Sequence, residues 1–390
     1  MTVSLPLPTH DAVQHSAQLT ELIRGDIVAQ GGWIPFSRFM ELALYAPGLG
    51  YYTAGAHKFG EAGDFITAPE LSPLFGRTLA RPAAEIMASS VPQLLELGAG
   101  SGKLAVDVLG ELERMGSLPE CYSILEVSAD LRQRQQALLQ QRLPHLAARV
   151  RWLDTLPEKI GGAVIANEVL DALPVHLLYW RDANVERDTP ILERGVALDG
   201  GRFIWQDRSP VSDALLMIAQ DIRVPGDYLS ELSPAARGLV TSLCERLEAG
   251  ALLFIDYGFG AREYYHPQRN RGTLMCHYRH HAHDDPFYLP GLQDITAHVD
   301  FTAVAEAGID AGANLLGYTT QAHFLINCGI AELLRDTPPE DMRSYLPLSA
   351  QLQKLTSPSE MGELFKVMAL GKGMEAPLSG LLRGDLSRLL

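Results

Sequence analysis

Between Gln93 and Lys103 the chain reads QLLELGAGSGK, a short apolar run followed by glycines at alternate positions, Gly98, Gly100 and Gly102. Glycines between a strand and a helix let the backbone turn tightly and let a ligand approach the main chain closely. Their spacing excludes two common ligand loops. A dinucleotide fingerprint, G-x-G-x-x-G, would need its last glycine at position 103, which is Lys103. A phosphate-binding Walker loop would need G-K-[ST], and Leu104 follows Lys103. Acids punctuate the neighbouring apolar runs. Glu96 stands two residues before Gly98, Glu126 lies near the end of Tyr122 to Val127, and Asp154 follows Val150 to Leu153. Asn167 and Glu168 follow Ala163 to Ala166. Polar groups just beyond the carboxyl ends of parallel strands sit at the ligand crevice of an open α/β sheet.

An acid two residues before G-x-G-x-G resembles the first motif of class I S-adenosylmethionine (SAM) methyltransferases. SAM carries an α-ammonium that needs a carboxylate or carbonyl, and the glycine loop leaves room for that part of it. Glu96, Gly98, Gly100 and Gly102 are therefore expected to hold the amino-acid end. Glu126 is placed to accept the two ribose hydroxyls, and Asp154 to meet the adenine amino group. The position of Asn167 and Glu168 faces the sulfonium and the incoming nucleophile in such enzymes. Asp171 is expected one helical turn on, on the same side as Glu168.

The elements that must position these groups follow a recognisable rhythm. Gln93 to Leu97, Tyr122 to Val127, Val150 to Leu153, Ala163 to Ala166 and Ala251 to Asp256 read as buried strands. Lys103 to Met115 and Ala129 to Arg142 read as the helices between them. This alternation predicts an α/β fold with a doubly wound, mostly parallel sheet, and Phe365 to Leu370 reads as a last strand. Leu19 to Val28, Ser37 to Leu44 and Leu71 to Ser89 carry helical spacing. Pro47 to Phe65, rich in glycine and tyrosine, reads as an ordered loop. Pro174 to Asp207 alternates like antiparallel strands, Ser212 to Gly250 reads as helical, and Phe301 to Gly308 as a short helix. The expected division is a mainly helical segment over 1–90 and a core over 91–390, with insertions at about 174–250 and 260–300.

Five separated motifs then carry a closer resemblance. GDFITAPE (Gly63 to Glu70), the LELGAGSGKL loop, NEVLDALPVH (Asn167 to His176), FIDYGF (Phe254 to Phe259) and DPFYLPGLQDITAHVDF (Asp285 to Phe301) together resemble the MidA-type family. These are SAM-dependent methyltransferases related to a mitochondrial complex I assembly factor, and the resemblance runs from about residue 19 to 372. It implies a class I, Rossmann-like methyltransferase core with a final antiparallel strand, a helical N-terminal part and inserted segments. It also implies SAM as cofactor and methylation of an arginine in a protein, a respiratory complex I subunit being one candidate. The GDFITAPE segment is expected to fold over the cofactor, with Asp64 offering a carboxylate and Thr67 a hydroxyl. Two departures from the family pattern, Ala68 where Ser is common and Leu170 where Phe is common, leave the carboxylates of the motifs in place.

Methyl transfer to arginine asks the enzyme to orient a guanidinium and stabilise its charge, which carboxylates do bidentately. Glu168 and Asp171 are the first candidates for that catalytic role, with Asp256 and Asp294 behind them. Tyr257, Tyr278, Phe287 and Tyr288 are candidates to line an arginine pocket. A small-molecule methyltransferase and a SAM-binding scaffold without turnover remain the competing classes.

Composition narrows the rest. The 390 residues hold 32 Lys+Arg against 47 Asp+Glu, a net charge of −15, which argues against a nucleic-acid backbone binder and an anionic membrane surface. No apolar run approaches the roughly 20 residues of a membrane span. The four cysteines form no CxxC, which suits a reducing compartment. Met1 to Thr20 holds no Lys or Arg and resembles neither a secretory nor a transit leader. A cytoplasmic enzyme is the expectation. Six of the twelve histidines fall between His266 and His298, but their spacing matches no zinc motif, and no metal is expected.

Overall fold

The computed structural model describes residues 5–54, 67–181 and 191–390. The chain divides into two compact units, one drawn from 66–170, 237–260 and 299–390, the other from 1–65, 171–236 and 261–298.

The unit that holds the glycine loop is built on a mixed sheet with helices. Its strands are β1 (Gln93–Leu97), β2 (Cys121–Leu125), β3 (Val150–Leu153), β4 (Ile160–Asn167), β5 (Leu247–Phe259), β6 (Asn314–Thr320) and β7 (Phe365–Lys372). They lie in the order β6-β7-β5-β4-β1-β2-β3. β1 to β5 run parallel, while β7 lies antiparallel between β5 and β6. The two-residue strand Val299–Asp300 adds a short parallel pairing at the end of β5. Strands in this setting are covered on both faces, so they read as continuous apolar runs rather than alternating ones. Ala251 to Ile255 accordingly has no residue more than 1% exposed.

The chain steps outward from β1 to β2 and β3, then crosses back to place β4 on the other side of β1. The carboxyl ends of β1 and β4 therefore flank a topological switch point, where ligands bind in open α/β sheets. Helices α1 (Pro73–Ala88), α2 (Lys103–Arg114) and α3 (Ala129–Arg142) belong to the same unit. Leu74, Phe75 and Leu79 of α1 share one apolar core with Leu104, Val108 and Leu109 of α2. Ser72 and Ser128 begin α1 and α3 by accepting the amides of Leu74 and Leu131.

The second unit pairs two helices with antiparallel strands. In His10–Ala29, Leu19, Ile23 and Ile27 recur at helical spacing and are fully buried, together with Phe36, Phe39 and Met40 of Phe36–Tyr45. Its larger sheet runs Trp33–Pro35, Ile191–Asp199, His176–Trp180, Tyr228–Leu232, with Arg202–Arg208 on the other edge of Ile191–Asp199. A three-stranded sheet joins Met275–Tyr278 to His281–His283 and Asp294–Thr296.

Two segments depart from the sequence reading. Ser212 to Gly250 is not helical throughout, because Tyr228–Leu232 forms a strand against His176–Trp180. Within it Glu231 is buried, and its carboxylate accepts the amides of Thr273 and Leu274. A charged residue buried by a distant loop defeats any periodicity argument. Asn314–Thr320, a strand at the sheet edge, also went unread, because its NLLGYTT sequence alternates weakly.

All four cysteines are buried free thiols, and burial pushes Cys244 up to about 11 and Cys328 up to about 12. No helix among the described residues is long and apolar enough to cross a membrane.

Candidate active site

The glycine loop starts where β1 ends. The Gly98 amide donates to the Leu125 carbonyl at 3.0 Å, tying the loop to the end of β2. Gly98, Gly100 and Gly102 take φ of 61°, 52° and 87°, all left-handed, which glycine adopts at no steric cost. A Cβ on Gly100 would meet none of the described residues within 4 Å, which leaves room there for a ligand to approach the main chain. At Gly102 the reason differs, since a Cβ would lie 3.2 Å from Cα and Cγ of Gln135.

The acids divide by environment. Glu96 is buried and accepts the Tyr122 hydroxyl at 2.7 Å. Burial pushes its carboxyl up to about 7, against the pull of the Tyr122 bond, and the nearby Glu126 adds to the rise. Glu126, just beyond β2, is 5% exposed. Its Oε1 accepts the Ser128 amide at 2.9 Å and its Oε2 the Gln135 side chain at 2.9 Å. Burial raises this carboxyl too, while the amides of Ser128 and Gln135 hold it down. Asp154, just beyond β3, has an 85% exposed side chain paired with Arg132 at 2.7 Å. The same guanidinium donates to the carbonyls of Glu126 and Leu153, so Arg132 clips the ends of β2 and β3 together.

At the end of β4, the Asn167 side chain donates to Glu168 Oε1 at 3.2 Å, while the buried Asn167 Oδ1 has no hydrogen-bond partner among the described residues. Glu168 itself has φ 50°. A non-glycine residue in that region costs on the order of 1 kcal/mol and persists only where the surroundings hold it. Here the Glu168 amide donates to the Ile255 carbonyl of β5 at 2.8 Å. Asp256, 1% exposed, accepts the Leu170 amide at 3.0 Å and the Tyr257 amide at 2.9 Å.

The carboxyl ends of β1, β2 and β4 thus carry a glycine loop, the buried acid Glu126 and, at Asn167 Oδ1, a buried acceptor with no partner among the described residues. The comparisons agree with that inventory. Residues 77–319 match the family described as "Putative S-adenosyl-L-methionine-dependent methyltransferase". The chain belongs to this methyltransferase family. In Drosophila melanogaster the Protein arginine methyltransferase NDUFAF7 homolog, mitochondrial, is 30% identical over 95% of this chain and 89% of its own. The mouse Protein arginine methyltransferase NDUFAF7, mitochondrial, is 30% identical over 91% and 85%. A crystal structure from Burkholderia thailandensis, bound to S-adenosyl-homocysteine, superimposes with a TM-score of 0.94. It is 49% identical and covers 99% of this chain and 100% of that one. The enzyme is a SAM-dependent methyltransferase.

The methyltransferase corrects one expectation about its address. The cytoplasmic assignment is overturned, because the curated relatives from fly and mouse are named mitochondrial proteins. Free thiols and an acidic surface report redox poise and solubility, which do not distinguish one compartment from another.

The remaining predicted residues are distributed as follows. Asp64 lies outside the described residues. Thr67 is half-buried at the position before the short helix Ala68–Leu71, and its hydroxyl makes no capping bond. The helical turn expected to align Asp171 with Glu168 does not form, because the left-handed Glu168 breaks it. Asp171 belongs instead to the second unit, where its carbonyl accepts the Ala297 amide at 3.0 Å. The aromatics expected to line a pocket are split between cores. Tyr257 stacks edge-on against Phe365, Tyr278 against Tyr288, and Phe287 against Phe39. Among the described residues, no group of three His, Cys, Asp or Glu side chains is arranged to hold a metal ion.

A different aromatic group sits beside the acids of the second unit. Tyr45 and Tyr52 stack with centroids 5.5 Å apart, and Tyr51 meets Tyr52 edge-on at 5.0 Å. The Tyr52 hydroxyl donates to Asp294 Oδ1 at 2.9 Å, and Tyr45 donates to the Ala172 carbonyl at 3.0 Å. Burial holds the Tyr52 hydroxyl well above its ordinary range, with Asp294, Tyr45 and Asp171 adding to the effect. Tyr51 and Tyr52 come from a stretch with no periodicity, so only the pairing of Tyr52 with the distant Asp294 marks them.

Glu70 and Gln135 also escaped the sequence reading. Glu70 accepts Ser101 Oγ and, at 2.5 Å, Lys103 Nζ, which fastens the short helix Ala68–Leu71 to the glycine loop. Gln135 is one of five glutamines in α3. Its one distinguishing sign is a place four residues before the buried Leu139.

Proposed function

We propose that this methyltransferase modifies an arginine of a protein substrate, on a class I, Rossmann-like core whose last antiparallel strand is β7. SAM, when bound, supplies an electrophilic methyl group on a sulfonium. In this reading the open main chain at Gly98 to Gly102 and the acid Glu96 border its amino-acid end. Glu126 takes the ribose hydroxyls, Asp154 the adenine amino group, and Asn167 Oδ1 a donor or cationic part of the ligand. Thr67 offers it a hydroxyl. The chemistry of these groups fits SAM. Among the described residues the buried Asn167 Oδ1 has no donor, and none crowds the Cβ position of Gly100.

On the protein side, Glu168 orients the guanidinium and accepts its charge, as a carboxylate does for a planar cation. Asp256 fixes the turn that carries Glu168 and is a positioning residue. The observation that carries the reading of a cationic protein substrate is, within the second unit by itself, the Tyr45, Tyr51, Tyr52, Asp294 and Asp171 group. Aromatic faces and carboxylates together are the chemistry that recognises an organic cation. The relatives named as protein arginine methyltransferases point the same way, and a respiratory complex I subunit is the first substrate to try.

Labelled SAM, given to a lysate from cells lacking the gene, tests the proposal. Label in protein, recovered as methylarginine and lost with Glu168→Gln, supports it. Label confined to small molecules, or to other amino acids, overturns it.

A further inference from the structure

We infer that Gln135 is a positioning residue of the cofactor site, joining the glycine loop to Glu126 through one side-chain amide. The inference rests on the reading of Glu126 as the acceptor of the ribose hydroxyls.

Gln135 is fully buried, and every polar atom of its side chain is used. Nε2 donates to the Gly100 carbonyl at 2.9 Å and to Glu126 Oε2 at 2.9 Å. Oε1 accepts the Trp152 indole N–H at 2.8 Å. The amide has two donors and one acceptor group, and the surroundings offer two acceptors and one donor. Turning it over would set its oxygen against a carbonyl and a carboxylate, and its NH2 against an N–H. Only one orientation is compatible with this site.

Three elements of the sheet edge therefore meet in one residue. Gly100 belongs to the loop after β1, Glu126 follows β2, and Trp152 lies in β3. Both Glu126 oxygens are held before any ligand arrives, Oε1 by the Ser128 amide and Oε2 by Gln135. Pre-orientation of this kind lowers the ordering cost of binding. Gly102 belongs to the same device, because its missing Cβ is what lets α3 bring Gln135 this close. The third glycine of G-x-G-x-G thus has a packing partner, whereas Gly100 has open space.

Calorimetric titration of S-adenosyl-homocysteine into the full chain tests the inference. Gln135→Met keeps the length and removes both donors. Hydrogen bonds to charged groups at such sites predict a loss of affinity of about 10- to 100-fold. The pH dependence separates positioning from mere structure. Without the Gln135 donor, Glu126 is protonated more easily, so the acid-side fall in affinity moves to higher pH than in the wild type. In a Glu126→Gln background, Gln135→Met costs only a few-fold more, the part that passes through Gly100. Trp152→Phe is the gentler second variant, freeing Oε1 while leaving both donors, and it weakens binding in the same direction. Wild-type affinity and pH profile in both Gln135→Met and Trp152→Phe would overturn the inference. Wild-type affinity in Glu126→Gln alone overturns the diol reading instead, so the two failures are told apart.

Discussion

The Asp256 carboxylate, at the core of β5, accepts the Leu170 amide at 3.0 Å and so fixes the turn that follows β4. Two residues before Leu170, Glu168 stands at φ 50° with its amide on the Ile255 carbonyl. A strained residue is held between one side-chain and one main-chain bond from the same neighbouring strand. In the proposed mechanism that arrangement gives Asp256 the part of supporting Glu168.

Asp256→Asn should therefore impair turnover more than cofactor binding. The amide has the volume of the acid, but it can turn an N–H toward the Leu170 amide and release the turn. A misplacement of about 1 Å costs roughly 100-fold in rate. The expected result is a kcat lower by about that factor with S-adenosyl-homocysteine affinity within a few-fold of wild type. Equal losses in kcat and affinity would assign Asp256 to the cofactor instead.

Gly100→Ala and Gly102→Ala should fail in different ways. Both force a side chain into left-handed backbone, at about 1–2 kcal/mol. Only Gly102→Ala also presses on Gln135, at 3.2 Å. Gly102→Ala is expected to lower thermal stability without ligand more than Gly100→Ala does. Gly100→Ala, whose Cβ projects into open space, is expected to weaken S-adenosyl-homocysteine while leaving the ligand-free melting temperature closer to wild type.

The elements around the glycine loop were legible because their signals are local. β1, β3 and α3 lie where hydrophobic runs and helical spacing place them, and Gly98 to Gly102 and Glu126 stand beside those elements. What escaped depends on distant partners. Gln135 looks like its neighbouring glutamines until Gly100, Glu126 and Trp152 surround it. Glu231 reads as a solvated acid until Thr273 and Leu274 bury it. Asp171 was placed by assuming a helical turn, and the left-handed Glu168 that breaks that turn has no signature in residue type. The pairing of Tyr52 with Asp294 has no local signature for the same reason. Tyr51 and Tyr52 sit in a glycine-rich stretch without periodicity, and Asp294, more than two hundred residues away, gives them their setting.

Glu96 predicts a pH dependence of stability. Its carboxyl is raised by burial from 4.5 to about 7 in the folded chain. The folded state then binds more protons than the unfolded state between those values, so stability falls as pH rises from about 4.5 to about 7 and levels off above. The interval corresponds to a contribution on the order of 3 kcal/mol. Glu96→Gln keeps an acceptor for the Tyr122 hydroxyl and has no proton to lose. Denaturant titrations at pH 5 and pH 8 should show the variant gaining on the wild type at the higher pH. A difference between the two proteins that does not change with pH would contradict the raised carboxyl.

The Tyr52 and Asp294 pair makes the sharpest prediction for substrate recognition. Burial keeps the Tyr52 hydroxyl protonated across the working range, so it serves as a fixed donor to Asp294 and leaves the carboxylate its charge. Asp294→Asn removes that charge with little change in shape. For an arginine-containing protein acceptor the KM is expected to rise roughly 10-fold or more, the scale of a lost charge-assisted bond. Tyr52→Phe loses only the orienting hydroxyl and should raise KM by a few-fold. S-adenosyl-homocysteine affinity, measured by calorimetry, should stay within two-fold in both, since neither residue belongs to the unit that carries the glycine loop. An Asp294→Asn enzyme with wild-type KM for its protein acceptor would remove this pair from substrate binding.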